Sequence, residues 1–330
     1  MSLPKKMRVV EMCEFGGAEV LTEGKRKLPE ASADEVLIKI TAAGVNGPDL
    51  IQRRGLYPPP KGASDLLGLE VSGEIVALGS GQTKWSIGDR VCALTDGGGY
   101  AEYVAVNANH CLPIPDGVNE LDAAGLPETY FTVWSNVFFN QKIKEGSIFL
   151  VHGGSGGIGS TAIQIGSAMG LQVFATAGSA DSCTYCEKLG AQRSINFNEE
   201  DFVPIMREIG GANIILDIIG GDYVARNIKA SHPDARIIQL AFNQGSKIKI
   251  DLMPVMLKRL TLTGSTLRSR SDDFKSEVAS DLTQTVWPLF GSSPPQLRAT
   301  TFASFDLADA AKAHTLMESG SKCGKVLLTV

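Results

Sequence analysis

The sequence predicts an α/β protein in which a doubly wound parallel sheet shares the chain with a β-rich region. Three observations lead there. From about Asp122, strand-sized apolar runs alternate with helical ones, the pattern of βαβ units. One strand and one helix are joined by VHGGSGGIGSTAIQIG, with five glycines in its first nine residues. The first 120 residues instead hold short β-branched or alternating runs separated by glycine turns.

In chain order, the runs MRVVEM, EVLIKITAAGV, GEIVALG, DRVCAL and YAEYVAV read as strands. Between them GLYPPPKGAS, residues 55–64, is too rich in proline for a helix or a central strand. LDAAGLPETYFTVWSNVFF reads as helix. Strand SIFLVHG, helix GSTAIQIGSAMG, strand QVFATAG and helix SCTYCEKLGA follow. Then come strand RSINF, helix EDFVPIMREI, strand NIILDIIG, helix DYVARNIKAS and strands RIIQLAF and LTLTGSTL. Strands this uniformly apolar are buried on both faces, as a parallel sheet requires. The tail returns to helix DLADAAKAHTLMES and a closing strand GKVLLTV. A chain of 330 residues exceeds what one core usually serves, so two domains are expected.

Composition removes several classes of function. A net charge of -5 without a basic cluster argues against nucleic acid as a partner. The longest apolar runs, such as Ile214–Ile219, are too short to span a bilayer, so no membrane role is expected. MSLPKKMRVV lacks the apolar core of a secretory signal, which points to the cytoplasm and to reduced thiols for the six cysteines. Cys183 and Cys186 form a CxxC in a helical stretch. Zinc needs two further ligands, so the pair reads as small, partly buried side chains. His110, His152, His232 and His314 fall in no Ser/His/Asp grouping, and His152 reads as a packing residue at a strand end.

The glycines carry the chemistry. Gly154-x-Gly156-x-x-Gly159 sits directly between a strand and a helix, the context in which the pattern means dinucleotide binding. The first glycine permits the tight turn, the second lets a pyrophosphate approach, and the third lets helix and strand pack closely. Gly154, Ser155, Gly156, Gly157 and Ile158 are therefore the expected diphosphate contacts, with helix N-terminal amides behind them. The next strand ends in Thr176, Ala177, Gly178 and Ser179, with no carboxylate to bind a ribose diol. That favours NADPH over NADH. Arg193 reads either as a partner for the 2′-phosphate or as a solvated surface arginine.

The motifs VEMCEFGGAEVL, AAGVNGPDLIQRRGLYPPPKGAS, LGLEVSGEIVALG, IGDRVCAL, GLPETYFTVW, VHGGSGGIGSTAIQ, ATAGS, EKLGA, ILDIIGG, STLRSR and GKVLL occur in one order along nearly the whole chain. In them the sequence resembles the zinc-free medium-chain dehydrogenase/reductases. It is most similar to the quinone oxidoreductases related to zeta-crystallin, especially the tumour-suppressor-inducible type. The resemblance implies a GroES-like catalytic domain from residues 1–121 and 271–330, a Rossmann domain over 122–270, and a homodimer built by the Rossmann sheets. It implies that Asn46, Tyr57 and Thr132 line the catalytic site. It adds Ser182, Phe197, Ile219, Gly220, Ala241, Phe242, Leu267 and Lys325 to Thr176, Gly178 and Ser179 as cofactor contacts. Zinc-bearing relatives place a cysteine where Asn46 stands and a histidine where Leu69 stands, so no metal site is expected. Without a Lewis acid the acceptor must carry its own electron sink, as a quinone does. An enone or alkenal double bond is the second candidate acceptor, and a catalytically weak nucleotide-binding protein the third reading. Asp49 is expected to order backbone and Glu70 to be structural. The sequence departs from its relatives at Gly156, usually serine; at Ser182, usually lysine; and at Phe197, usually tyrosine. Loss of a charged contact to the 2′-phosphate, worth about 1.5–3 kcal/mol, leaves NADH as an alternative cofactor.

Overall fold

A computed structural model describes residues 3–294, 296–320 and 323–330. The chain divides into two compact units, one of residues 1–131 with 268–330 and one of residues 132–267.

The first unit is β-rich. Its elements are β1 (Lys6–Met12), β2 (Leu21–Lys27), β3 (Glu35–Val45), α1 (Gly47–Arg53), β4 (Glu70–Leu78), β5 (Arg90–Leu94), β6 (Tyr103–Asn107), β7 (Cys111–Pro113) and α2 (Glu120–Ala123). Helix α3 (Pro127–Val133) ends it and leads into the second unit. That second unit holds β8 (Ile148–His152), α4 (Gly157–Ala168), β9 (Gln172–Ala177), α5 (Ala180–Lys188), β10 (Arg193–Asn196), α6 (Phe202–Glu208), β11 (Ala212–Asp217), α7 (Tyr223–Ala230), β12 (Ser231–Gln239), α8 (Met253–Lys258) and β13 (Thr261–Gly264). The chain then returns to the first unit for α9 (Asp272–Asp281), β14 (Thr301–Asp306), α10 (Ala310–Ser319) and β15 (Lys325–Thr329).

Six strands of the second unit lie in the order β10-β9-β8-β11-β12-β13, all parallel. This is the doubly wound order, and it reverses between β8 and β11. Phe149, Leu150, Val151, Ile215 and Leu216 are fully buried, because helices cover both faces. In the β-rich unit the path β14-β15-β3-β4-β5-β7 forms one sheet, β6 pairs with β3, and β1 and β2 form a separate ribbon. Its core gathers Val36, Ile38, Ile40, Val71, Ile75, Val91 and Leu328.

The sequence boundary at residue 121 falls ten residues before the observed one. Residues 122–131 stay with the β-rich unit because their contacts are there. Asp122 accepts from the Thr301 hydroxyl at 2.5 Å, Ala124 packs with Ala42 and Leu327, and the Tyr130 ring lies edge-on to Trp287 at 5.6 Å. Within the stretch expected as one helix, Pro127 starts α3 as its first residue.

Candidate active site

In an open parallel sheet, ligands bind beyond the carboxyl ends of the strands where the order reverses. At that place β8 delivers the chain to Gly153, whose φ of +69° favours glycine. A Cβ on Gly154 would meet Ala175 Cβ at 2.8 Å and Cys186 Sγ at 2.9 Å. On Gly159 it would lie 2.2 Å from the Gly153 carbonyl oxygen. These two glycines let α4 close on β8. Gly156 differs: its φ is −76°, and an added Cβ would meet only Gly153 O, at 3.6 Å. No protein atom demands glycine there, and the amides of Gly157, Ile158 and Gly159 precede the first helical bond, Ser160 N–H to Gly156 O at 2.8 Å. An open face backed by helix N-terminal amides fits a diphosphate.

The expected cofactor contacts line the same edge. Thr176 stands near the end of β9, Gly178, Ser179 and Ser182 follow it, Phe197 follows β10, Ile219 and Gly220 follow β11, Ala241 and Phe242 follow β12, and Leu267 follows β13. Ser179 caps α5, accepting from Ser182 N–H at 3.2 Å and donating to its hydroxyl at 3.0 Å. Phe197 is 43% exposed and lies against Gly178, where a Cβ would come within 2.9 Å of its ring. Gly220, at φ +69°, would meet Phe242 at 2.7 Å. Two of the expected contacts stand elsewhere. Arg193 begins β10 at the opposite end from this edge, and its guanidinium holds Glu200 at 2.5 Å. Lys325 belongs to the β-rich unit, where its ammonium is taken by other groups.

His152 ties three of these loops together. Its Nδ1 meets the Thr176 hydroxyl at 3.0 Å and its Nε2 meets Asn227 Oδ1 at 2.7 Å. Asn227 Nδ2 donates to Asp217 Oδ2 at 2.9 Å, and Asp217 Oδ1 accepts from the amides of Ile219 at 2.6 Å and Gly220 at 3.1 Å. Burial pulls the imidazole down to about 4, so the ring is neutral. The expected packing residue is thus also the hub of a hydrogen-bond network. Cys183 and Cys186 lie buried on α5, with Cys186 beneath Gly154.

In the β-rich unit the sheet ends bring together Asn46, Glu70 and Lys325. The Lys325 ammonium lies 2.5 Å from both Asn46 Oδ1 and Glu70 Oε1, and Asn46 Nδ2 donates to Glu70 Oε1 at 2.8 Å. Glu70 Oε2 accepts from the Glu128 amide at 2.8 Å. Asp49 accepts from the Asn46 amide at 2.8 Å and the Gly68 amide at 2.9 Å, the backbone-ordering role expected of it. Burial outweighs those two bonds and pushes the Asp49 carboxyl up to about 6. Tyr57 is partly buried under the Arg268 guanidinium, 5.5 Å from its ring centroid; burial first, then the Glu128 charge, raise its phenol. Thr132 is the first residue of the other unit, and its carbonyl accepts from Asn136 Nδ2 at 2.9 Å. Glu128 and the Arg268–Gln52 contact, at 2.7 Å, escaped the sequence reading. A proline followed by an acid marks a helix start in sequence and says nothing of the acid's neighbours. A broad groove of about 1100 Å³ in this unit passes Ser64, Asp96, Arg268 and Lys275 but includes neither Asn46 nor Tyr57.

Comparison with known proteins decides the family. A family model described as zinc-binding dehydrogenase matches residues 157–284, and one described as alcohol dehydrogenase GroES-like domain matches residues 32–116. A quinone oxidoreductase of Rattus norvegicus is 30% identical over 335 residues, with 98% of each chain covered. The chain belongs to the zinc-free quinone oxidoreductase family. It is an oxidoreductase. Among solved structures, Escherichia coli quinone oxidoreductase complexed with NADPH superposes with a TM-score of 0.83 at 25% identity, covering 98% of this chain and 100% of that one. A mycobacterial protein complexed with NADPH gives 0.86 at 26%, with 98% and 100% covered. For a zinc ion the donor set of this family member is wrong. Asn46 Oδ1 and Glu70 Oε1 already accept from a lysine, and position 69 is leucine. Among the described residues no three His, Cys, Asp or Glu side chains are grouped to hold a metal. Among them, too, no helix is long and apolar enough to cross a membrane.

Proposed function

We propose that the protein is an NADPH-dependent quinone reductase that needs no metal. The observation that carries this reading is the carboxyl edge of the parallel sheet. The glycine turn and the first amides of α4 offer a diphosphate site, and beyond β9 stand the hydroxyls of Ser179 and Ser182, the nearest carboxylate being Asp181 in the first turn of α5. The relatives named above add support, since two of them are solved with NADPH and two are quinone oxidoreductases by name. The bound cofactor supplies a hydride. The chain's own residues grip the diphosphate, and Asn46 and Tyr57 orient the acceptor, with Thr132 as a further lining residue. Because Arg193 is engaged by Glu200, the 2′-phosphate meets hydroxyls rather than a cation, and NADH is accepted as well.

Steady-state oxidation of NADPH by simple ortho- and para-quinones tests the reading, with an enone run alongside. Turnover fastest on quinones supports it. Turnover fastest on the enone, or tight NADPH binding without turnover, refutes it.

The same reading includes a homodimer through the sheet edge. All four residues of β13 are exposed, and Leu252, Met253, Met256 and Leu257 beside it are each 62–69% exposed. A strand paired on one side only, next to apolar side chains, is a template for a second copy. A monomeric mass by light scattering at micromolar concentration would count against it.

A further inference from the structure

Four carboxyl and ammonium groups of the β-rich unit crowd near Asn46, and three of them are acids. Asp49 and Glu70 are both completely buried, and their oxygens are consumed by the fold. Asp49 holds two backbone amides; Glu70 holds Lys325, the Asn46 amide nitrogen and the Glu128 N–H. Glu128 is different. It enters the cluster through its backbone, as the second residue of α3, and keeps a solvent-accessible edge. Its carboxyl accepts no hydrogen bond and makes no ion pair among the described residues. An acid held in such a place without a partner has no structural task to explain it.

We propose that Glu128 is the catalytic acid that protonates the reduced acceptor. The inference rests on the quinone reading. The quinone takes up a hydride, as the C–H bond of the dihydronicotinamide breaks and leaves oxidised nicotinamide, and becomes a hydroquinone monoanion. The O–H bond of Glu128 then breaks, its proton goes to the anionic oxygen, and neutral hydroquinone departs. Glu128 remains as carboxylate and regains a proton from water, so one hydride and one proton account for the two-electron reduction.

The surroundings keep that proton available. Burial first, and the Glu70 charge second, push the Glu128 carboxyl up to about 8, with Asp49 acting in the same direction and Lys325 and Arg268 opposing. Glu70 takes the Asn46 side-chain amide on one oxygen and the Glu128 N–H on the other, each at 2.8 Å, so Glu128 joins the same cluster as a side chain proposed to orient the acceptor. An acid that titrates near the working pH is suited to general catalysis.

The test uses full-length wild type, Glu128→Gln and Glu128→Asp with NADPH and a para-quinone between pH 5.5 and 9.5. Wild-type kcat should fall as pH rises through about 8, where the donor loses its proton. Glu128→Gln should lose on the order of a hundredfold in kcat, with quinone KM little changed and the alkaline limb gone. Glu128→Asp should keep that limb at a lower rate. Independently of turnover, infrared titration should find a protonated-carboxyl band that disappears near pH 8 in wild type and is absent from Glu128→Gln. Wild-type kcat and pH profile in Glu128→Gln, or no such band in wild type, overturns the assignment of Glu128 while leaving the quinone reading intact. Absence of quinone turnover in wild type overturns the quinone reading itself. Should Glu128→Gln fail to fold, Glu128→Asp without an alkaline limb overturns the proposal equally.

Discussion

Acid should loosen the doubly wound unit through one histidine, and the size of the effect follows from its surroundings. His152 is 1% exposed, with the rings of Phe202 and Tyr223 at 4.7 Å and 4.8 Å. Asn227 turns its Oδ1 to the imidazole because its Nδ2 donates to Asp217. Nε2 therefore carries the single proton, and Nδ1 accepts from the Thr176 hydroxyl. A second proton would land on Nδ1, break that bond and bury a charge. Burial is accordingly the main cause that holds the ring at about 4 instead of 6.5. The unfolded chain takes up its proton at a higher pH than the folded one. Stability from the neutral ring is thus complete above pH 6.5 and is lost as pH falls from 6.5 towards 4. That interval corresponds to about 3 kcal/mol. Urea unfolding of wild type and His152→Gln between pH 4 and 7.5 measures it, because glutamine retains a donor for Asn227 and does not titrate. The variant should start about 1–3 kcal/mol less stable at pH 7. Wild type should then lose about 3 kcal/mol more than the variant on acidification. His314, held at about 3 by burial and by Arg53, titrates in both proteins and cancels in the difference. Parallel stability curves for the two proteins refute the account.

The glycine turn makes a paired prediction. Gly159→Ala forces a Cβ to 2.2 Å from a backbone oxygen, so it should cost about 1–3 kcal/mol or more and abolish NADPH binding by calorimetry. Gly156→Ser has room and places a favoured residue at the N-cap of α4, so its melting temperature should equal or exceed that of wild type. A destabilised Gly156→Ser would show that the turn needs that glycine for itself. Lys325→Met should cost about 3–5 kcal/mol, because it strands the Glu70 charge in a dry interior, and adding Glu70→Gln should restore much of the loss. Urea unfolding of the single and double variants decides it, and a Lys325→Met penalty below about 1 kcal/mol contradicts the buried-pair reading.

Much of the sheet unit was legible because its signals are local. Strands β8, β9 and β11 are short apolar runs, and the glycine turn after β8 is written in adjacent residues. Elements that hide little apolar surface left weaker traces. Strand β2, LTEGKRK, buries only Leu21 and pairs with β1 as a solvated ribbon, so no alternation marks it. Helix α1 has seven residues, opening Gly-Pro, and is held as much by the Asp49 bonds as by any apolar stripe. Arg193 left two readings open for a related reason: sequence gives its distance from β9 along the chain but not which end of β10 it occupies.

The cluster around Asn46 was illegible for a different reason, and the strand register supplies it. Strand β15 runs antiparallel to β3 with Val326 opposite Val45, so the residues just beyond that pair, Lys325 and Asn46, come side by side. Strand β4 pairs with β3 on its other edge with Val71 opposite Ala43, so Glu70 comes opposite Gly44. Gly44 is glycine because the Glu70 carboxylate crosses its face; a Cβ there would lie 2.0 Å from Oε1. Three strand ends thereby bring an acid, an amide and an ammonium together from positions 70, 46 and 325. No periodicity or spacing encodes a meeting between residues 279 positions apart. Motif likeness alone assigned Lys325 to the cofactor. Pairing of β15 with β3 sets its ammonium against Glu70 and Asn46.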